Sequence, residues 1–260
     1  MELLNIFLII TFSLTGLFTG SFLNVCIYRI PRGNFFESNR SYCPNCHTTL
    51  NWYELVPIFS YIFLKGRCRT CKEQISARYP LVESANMILW LLAYLRFGLT
   101  FYTILVVVLF SILIVMSMID IDIKEIPNGI ILAIIALGLL TFISSDAFLS
   151  RDNFLDVLFD KGIGFLIMSV PFLIIGIITG GIGGGDIKLL AAMGLFLGIK
   201  LIVLGGLLGV VIGGLVAVAL LIFKRAGRKT EMPLGPSLAL GFVIATLYGV
   251  NIIDWYTALF

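Results

Sequence analysis

Long apolar runs recur along this chain, and nothing constrains its fold more. The first is Leu3 to Ile27, and seven follow: Leu81 to Leu95, Phe101 to Ile119, Ile126 to Ile143, Gly162 to Thr179, Ile187 to Ile199, Leu201 to Phe223 and Ser237 to Ile253. A bilayer core of about 30 Å takes about 20 helical residues, so the longer runs span it outright. The shorter ones need local thinning or a broken helix. Only 13% of the residues are charged and 59% are hydrophobic. A soluble chain would carry about 25% charged residues. The expected fold is an all-α membrane protein of about eight transmembrane helices. Membrane lipid is its main solvent.

The charges set an orientation. Only Glu2 precedes the first run and no basic residue does, so that run does not read as a secretory signal peptide. Arg29 and Arg32 follow it, which leaves the N-terminus outside and sends the next segment to the cytosol. Carried along the chain, this layout puts all but four of the 18 Lys and Arg residues inside. The four are Arg96, Arg151, Lys161 and Lys200. Ser144 to Lys161 then reads as an outer polar loop rich in acid, through Asp146, Asp152, Asp156 and Asp160. Lys224 to Pro236 reads as a basic cytosolic loop. A net charge of +3 gives no reason to expect a nucleic-acid partner. Glycines at 205–209 and 213–214 read as close helix contacts.

Tyr28 to Pro80 is the one long polar stretch, with eight Lys or Arg residues. It contains Cys43-Pro-Asn-Cys46 and Cys68-Arg-Thr-Cys71, two Cys-x-x-Cys pairs with 21 residues between them. Four thiolates at that spacing can close a tetrahedral zinc site. A cytosolic placement argues against disulfides, and a metal staple suits a segment too small to build its own core. Two unrelated redox knuckles are the plainer alternative. Cys26, within the first run, reads as a small buried hydrophobe. His47, the only histidine, could compete as a ligand, but four cysteines already complete the shell. The division expected is a first helix at 1–27, a four-cysteine zinc mini-domain at 28–80 and a transmembrane domain at 81–260.

An ionisable residue at a span end is costly and is a functional hypothesis by default. Asp120 and Asp122 end one run and Asp186 opens another, 66 positions after Asp120. Two facing carboxylates cannot both ionise comfortably, so they share a proton. The ionised partner can then take a proton from water while the other donates to a scissile carbonyl. Gly180 to Gly185 reads as a non-helical lip where an extended strand can approach without meeting a Cβ. Pro127 suits a helix's first turn, which makes Asp120 to Ile126 a tight interfacial turn. Gly183, Gly185, Asp122 and Lys188 flank the pair as candidates for substrate approach. The plainer readings are turn residues at Asp120 and Asp122 and a helix N-cap at Asp186. A phosphate cradle lacks its Gly-Lys-Ser/Thr ending.

In combination these residues resemble the type IV prepilin peptidases, which are bifunctional leader peptidases and N-methyltransferases. Gly20-Ser-Phe-Leu-Asn-Val-Cys-Ile-Tyr-Arg-Ile-Pro31 resembles that family's first-span exit, and the paired cysteines its zinc domain. Leu50 to Tyr61, Lys65 to Arg69 and Ile75 to Glu83 follow its wording. Gly183-Gly-Gly-Asp186 resembles its Gly-x-Gly-Asp, and Asp120 its other catalytic aspartate. Asn128 departs from it, since many members carry Asp there. The resemblance implies cleavage of a short basic leader of prepilins or pseudopilins at the cytosolic face of the inner membrane. It also implies methylation of the new N-terminus from S-adenosylmethionine, with structural zinc. Glu83 is a candidate to hold or deprotonate the amine, or else a span-end partner of Arg78. No Gly-x-Gly-x-x-Gly unit follows a strand, so the cofactor site is not of the Rossmann kind. A proton-coupled transporter would place its acids nearer the midplane. A zinc-bearing adaptor would leave the aspartates unexplained.

Overall fold

The computed structural model describes residues 2–33, 40–144, 151–223 and 232–259. It forms two compact units, Met1–Thr103 and Ile104–Phe260. Nearly all of the described secondary structure is helical. Among the described residues, five stretches are long and apolar enough to cross a membrane: Glu2–Arg32, Phe101–Ile123, Phe154–Thr179, Ile199–Ile222 and Gly235–Thr257. The expected count of eight is therefore not reached by length and composition, because the remaining helices are shorter or more polar.

In the first unit, α1 (Glu2–Arg29) lies antiparallel to α3 (Arg78–Phe97). Its Gly16-x-x-x-Gly20 face lets the two backbones approach. A Cβ at Gly16 would lie 2.9 Å from Trp90 Cβ, and one at Gly20 would lie 2.8 Å from Glu83 Cα. Such small-residue seams replace the hydrophobic drive that lipid cannot supply. Asn86, fully buried, donates from Nδ2 to Gly16 O at 2.7 Å and Thr19 Oγ1 at 2.8 Å. Phe12 stacks on Tyr94, with ring centroids 4.8 Å apart. Cys26 is buried in α1. Between the two helices lie 3₁₀ turns at Ile30–Arg32 and Trp52–Leu55, the short α2 (Phe59–Phe63) and the cysteine pairs.

The second unit holds most of α4 (Phe101–Ile123), then α5 (Asn128–Ser144), α6 (Arg151–Ile167), α7 (Ser169–Thr179), α8 (Gly184–Leu197), α9 (Ile199–Ile222) and α10 (Gly235–Thr257). At 14 residues α8 is too short to span, yet it is the hub. It touches α5, α6, α7, α9 and α10, and Leu189, Leu190, Ala192 and Met193 have no exposed surface. Gly194 of α8 meets the Gly164 carbonyl of α6, and Gly205 and Gly209 of α9 meet Gly241 of α10. Neither contact leaves room for a Cβ.

The helix boundaries depart from the sequence reading in three places. The stretch read as an outer loop, Ser144 to Lys161, is helical from Arg151 onward, while Asp146 falls outside the described residues. Apolar Phe154, Leu155, Leu158 and Phe159 between the charges give that segment a helical face. Its charges work at the α8–α9 turn: Asp160 Oδ1 accepts the Ile199 N–H at 3.1 Å, and Lys161 Nζ donates to the Phe196 carbonyl at 3.0 Å. The run from Gly162 to Thr179 is broken between α6 and α7, because Pro171 has no N–H to donate to Ile167 and its ring crowds that carbonyl. Asp120 and Asp122 lie in the last turn of α4, which continues to Ile123, so the turn begins later than expected. Lys224 to Glu231, in the expected basic loop, lie outside the described residues.

Candidate functional site

The cysteine cluster is two copies of one knuckle. In the first, the Cys43 N–H donates to Thr48 O at 3.0 Å and the His47 N–H to Cys43 O at 2.9 Å. In the second, the Cys68 N–H donates to Glu73 O at 2.8 Å and the Lys72 N–H to Cys68 O at 3.0 Å. Isolated bridges Tyr42–Thr49 and Arg67–Gln74 close them. The residue after each second cysteine takes a left-handed turn, His47 at φ 55° and Lys72 at φ 59°. The four Sγ atoms lie within 4.8 Å of one another. Cys43–Cys71 and Cys46–Cys68 Sγ separations are 3.8 and 4.0 Å. A tetrahedral ion with Zn–S bonds of about 2.3 Å sets sulfurs about 3.8 Å apart, so the donor set fits zinc. These separations are far beyond a disulfide bond. His47 stands outside the cluster and stacks on Tyr42 at 5.9 Å.

Asp120 is buried, with 5% of its surface exposed, whereas Asp122 is exposed. Successive even positions on a helix stand about 200° apart, so α4 can turn only one of them inward. Asp120 Oδ2 accepts the Gly235 N–H at 2.9 Å, at the first residue of α10. A Cβ at Gly235 would lie 2.6 Å from that oxygen. Glycine there lets a backbone donor reach the carboxylate, a role the sequence reading missed. The signal was the Gly235-Pro236 step opening an apolar run.

Asp186 sits at the third position of α8, whose N-cap is Gly183, so it is not the cap itself. The non-helical lip is shorter than expected: Gly180 ends α7 at φ 63°, and Gly184 and Gly185 already belong to α8. A Cβ at Gly183 would lie 3.2 Å from Asp186 Oδ2, and one at Gly185 would lie 3.2 Å from Ile126 Cβ. The α4–α5 turn thus packs directly on the first turn of α8. Lys188 Nζ donates to Asn128 Oδ1 at 2.9 Å and ties the same two segments. Asp186 lies outside the five candidate spans. Burial first, and then the charge of Asp120, push its carboxyl up to about 6. The charge of Asp120 on α4 thus acts on the Asp186 carboxyl at the start of α8.

Glu83 lies in the other unit. It is buried, and its Oε2 accepts the Ile58 N–H at 2.7 Å. Ile58 has φ 61°, a strained value for a β-branched residue, and the Glu83 bond holds it there.

Two family models match the chain. Residues 14–97 match the Bacterial Peptidase A24 N-terminal domain and residues 107–218 the Type IV leader peptidase family. A prepilin leader peptidase/N-methyltransferase of Bacillus subtilis is 36% identical over 242 residues, covering 93% of this chain and 94% of its own. One of Pseudomonas aeruginosa is 33% identical over 270 residues, covering 94% and 91%. One of Aeromonas hydrophila is 32% identical over 274 residues, covering 94% and 93%. No solved structure matches the chain.

Proposed function

The chain belongs to the type IV leader peptidase family, and from that membership we propose that it cleaves the leader of prepilin-like proteins and N-methylates the residue so exposed. The observation that carries the peptidase half is that the charge of Asp120, after burial, helps raise the Asp186 carboxyl to about 6. Water activated by the ionised member attacks the scissile carbonyl, and the protonated member donates to the developing oxyanion. The titration belongs to the pair. Gly183 keeps a side chain off the Asp186 carboxylate, and Gly185 lets the α4–α5 turn pack against α8. The buried position of Asp120 favours it over Asp122 as the working group.

In this reading the protein is a multi-pass protein of the inner membrane with its N-terminus outside. The cysteine knuckles and the aspartates work at the cytosolic side, where basic loops collect. Cys43, Cys46, Cys68 and Cys71 hold one structural zinc ion. S-adenosylmethionine, when bound, would supply the methyl group for the freed amine. The chain's own part is to hold cofactor and amine in line. Glu83, the candidate for methyl transfer, lies in the first unit and the carboxylates in the second, so the two activities should be separable.

Incubation of the purified protein with a prepilin and S-adenosylmethionine, followed by mass spectrometry, tests the reading. The expected product lacks the leader and is one methyl group heavier. Glu83→Gln, by loosening Ile58, should yield product that is cut but poorly methylated. An uncut prepilin with wild-type protein overturns the proposal, and joint loss of both activities in Glu83→Gln overturns their separation.

A further inference from the structure

Beside the cysteine knuckles lie two cavities with a common wall. One, of about 360 Å³, is polar and is lined by Asn51, Tyr53, Glu54, Arg69 and Thr70 among others. The second, of about 400 Å³, is apolar and is lined by Val56, Phe59, Phe63 and Leu64. Tyr53, Glu54 and Arg69 border both. Each lies within the range of small-ligand sites.

The shared wall carries two charges of opposite sign, each held in place. The Glu54 carboxylate accepts the Asn51 backbone N–H at 2.8 Å and its Nδ2 at 3.0 Å. Arg69 Nη1 donates to the Tyr53 hydroxyl, and its guanidinium lies 5.3 Å from the centre of that ring. A fixed guanidinium beside a fixed carboxylate complements a zwitterion, which has an ammonium and a carboxylate one carbon apart. Across the wall, Phe59 is 54% exposed and Phe63 is 82% exposed. Aromatic rings left open on a small polar domain mark a contact surface.

Resting on the methyltransferase reading above, we infer that the two cavities together bind S-adenosylmethionine, with the amino-acid end in the polar cavity and the adenosine over Phe59 and Phe63. Arg69 takes the ligand carboxylate and Glu54 its ammonium. The apolar cavity takes the adenine, which stacks on aromatic side chains. The sulfonium then lies at the shared wall, near Tyr53 and Glu54, where an aromatic face and a carboxylate both favour a cation. Glu54 borders both cavities, whereas Glu83 is among the lining residues of neither and is bound to Ile58, so Glu54 is the carboxylate that faces the ligand.

Isothermal titration of the full-length protein in detergent with two probes tests this. S-adenosylhomocysteine carries both ends of the ligand, and methylthioadenosine lacks the amino-acid end. Arg69→Met and Glu54→Gln should each weaken S-adenosylhomocysteine about tenfold, the scale of one charged hydrogen bond, and leave methylthioadenosine unchanged. Phe59→Ser should weaken both probes. Zinc content, measured on every variant, establishes that the knuckles are intact. Wild-type protein that binds S-adenosylhomocysteine with all three variants unaltered overturns the location and leaves the methyltransferase reading standing. Absence of binding by the wild type, together with unmethylated product, overturns both.

Discussion

The cysteine knuckles and the carboxylate pair are assembled over very different distances along the chain. Each knuckle closes on itself: Cys43 bonds to Thr48 and Cys68 to Glu73, and the two loops differ little in backbone angle. The candidate carboxylate site draws on three helix ends remote in sequence. Asp120 closes α4, Asp186 opens α8, and Gly235 opens α10 to donate to Asp120. A site built from short loops and a metal can survive changes in the rest of the chain. A site built from helix ends inherits every shift in helix packing, since close-packed interiors transmit strain. The two regions should therefore fail differently.

The largest effect should come from the carboxylates themselves. Asp120→Asn and Asp186→Asn each keep shape and remove the shared proton, and should lower leader cleavage by about 10³-fold or more, with zinc content unchanged. Asp122→Asn should be milder. An active Asp120→Asn beside a dead Asp122→Asn would reverse the assignment on α4.

Next comes the metal. Purified protein should carry about one zinc per chain, and Cys43→Ser or Cys71→Ser should lose it. Limited proteolysis should then cut between residues 40 and 78 while the second unit stays protected. Loss of protection in both units would show that the knuckle region is not independent.

A smaller effect separates the two modes of construction. Gly235→Ala puts a methyl 2.6 Å from Asp120 Oδ2, so α10 or the carboxylate must move. Cleavage should fall about 10- to 100-fold, as expected for a misplacement of about 1 Å at a catalytic group. Zinc and fold should persist. Undiminished kcat/KM would mean that the Gly235 N–H does not position Asp120.

The smallest is a matter of pH. The carboxyl of Asp186 is raised to about 6 by burial and by Asp120, so Asp186 holds its proton below that value and loses it above. Cleavage should decline as pH rises past about 6, in a profile of kcat/KM against pH. A rate that stays level to the edge of protein stability would show that the proton is held by something else.

How much was legible in advance follows from the range of the interactions. Hydropathy located the helices, yet the polar stretch before Lys161 read as a loop, because its acidic residues outweighed the apolar face formed by Phe154, Leu155, Leu158 and Phe159. The broken α6–α7 pair was hidden because Pro171 leaves the run apolar while removing one hydrogen bond. Asn128 was visible only as a departure from a family pattern. Its bond to Lys188 joins the two segments that carry the aspartates.

What the sequence by itself determined is local chemistry: apolar runs that need lipid, two Cys-x-x-Cys pairs that suit one ion, and three aspartates at the ends of runs. These depend on composition and on spacings of a few residues, which a linear chain displays directly. Only the tertiary structure decided which aspartate of α4 turns inward, that Gly235 supplies its donor, and that Glu83 is bound to Ile58. Asp120 and Asp122 share a turn of one helix and differ in the side they face. That side has no meaning until α10 supplies a partner to face.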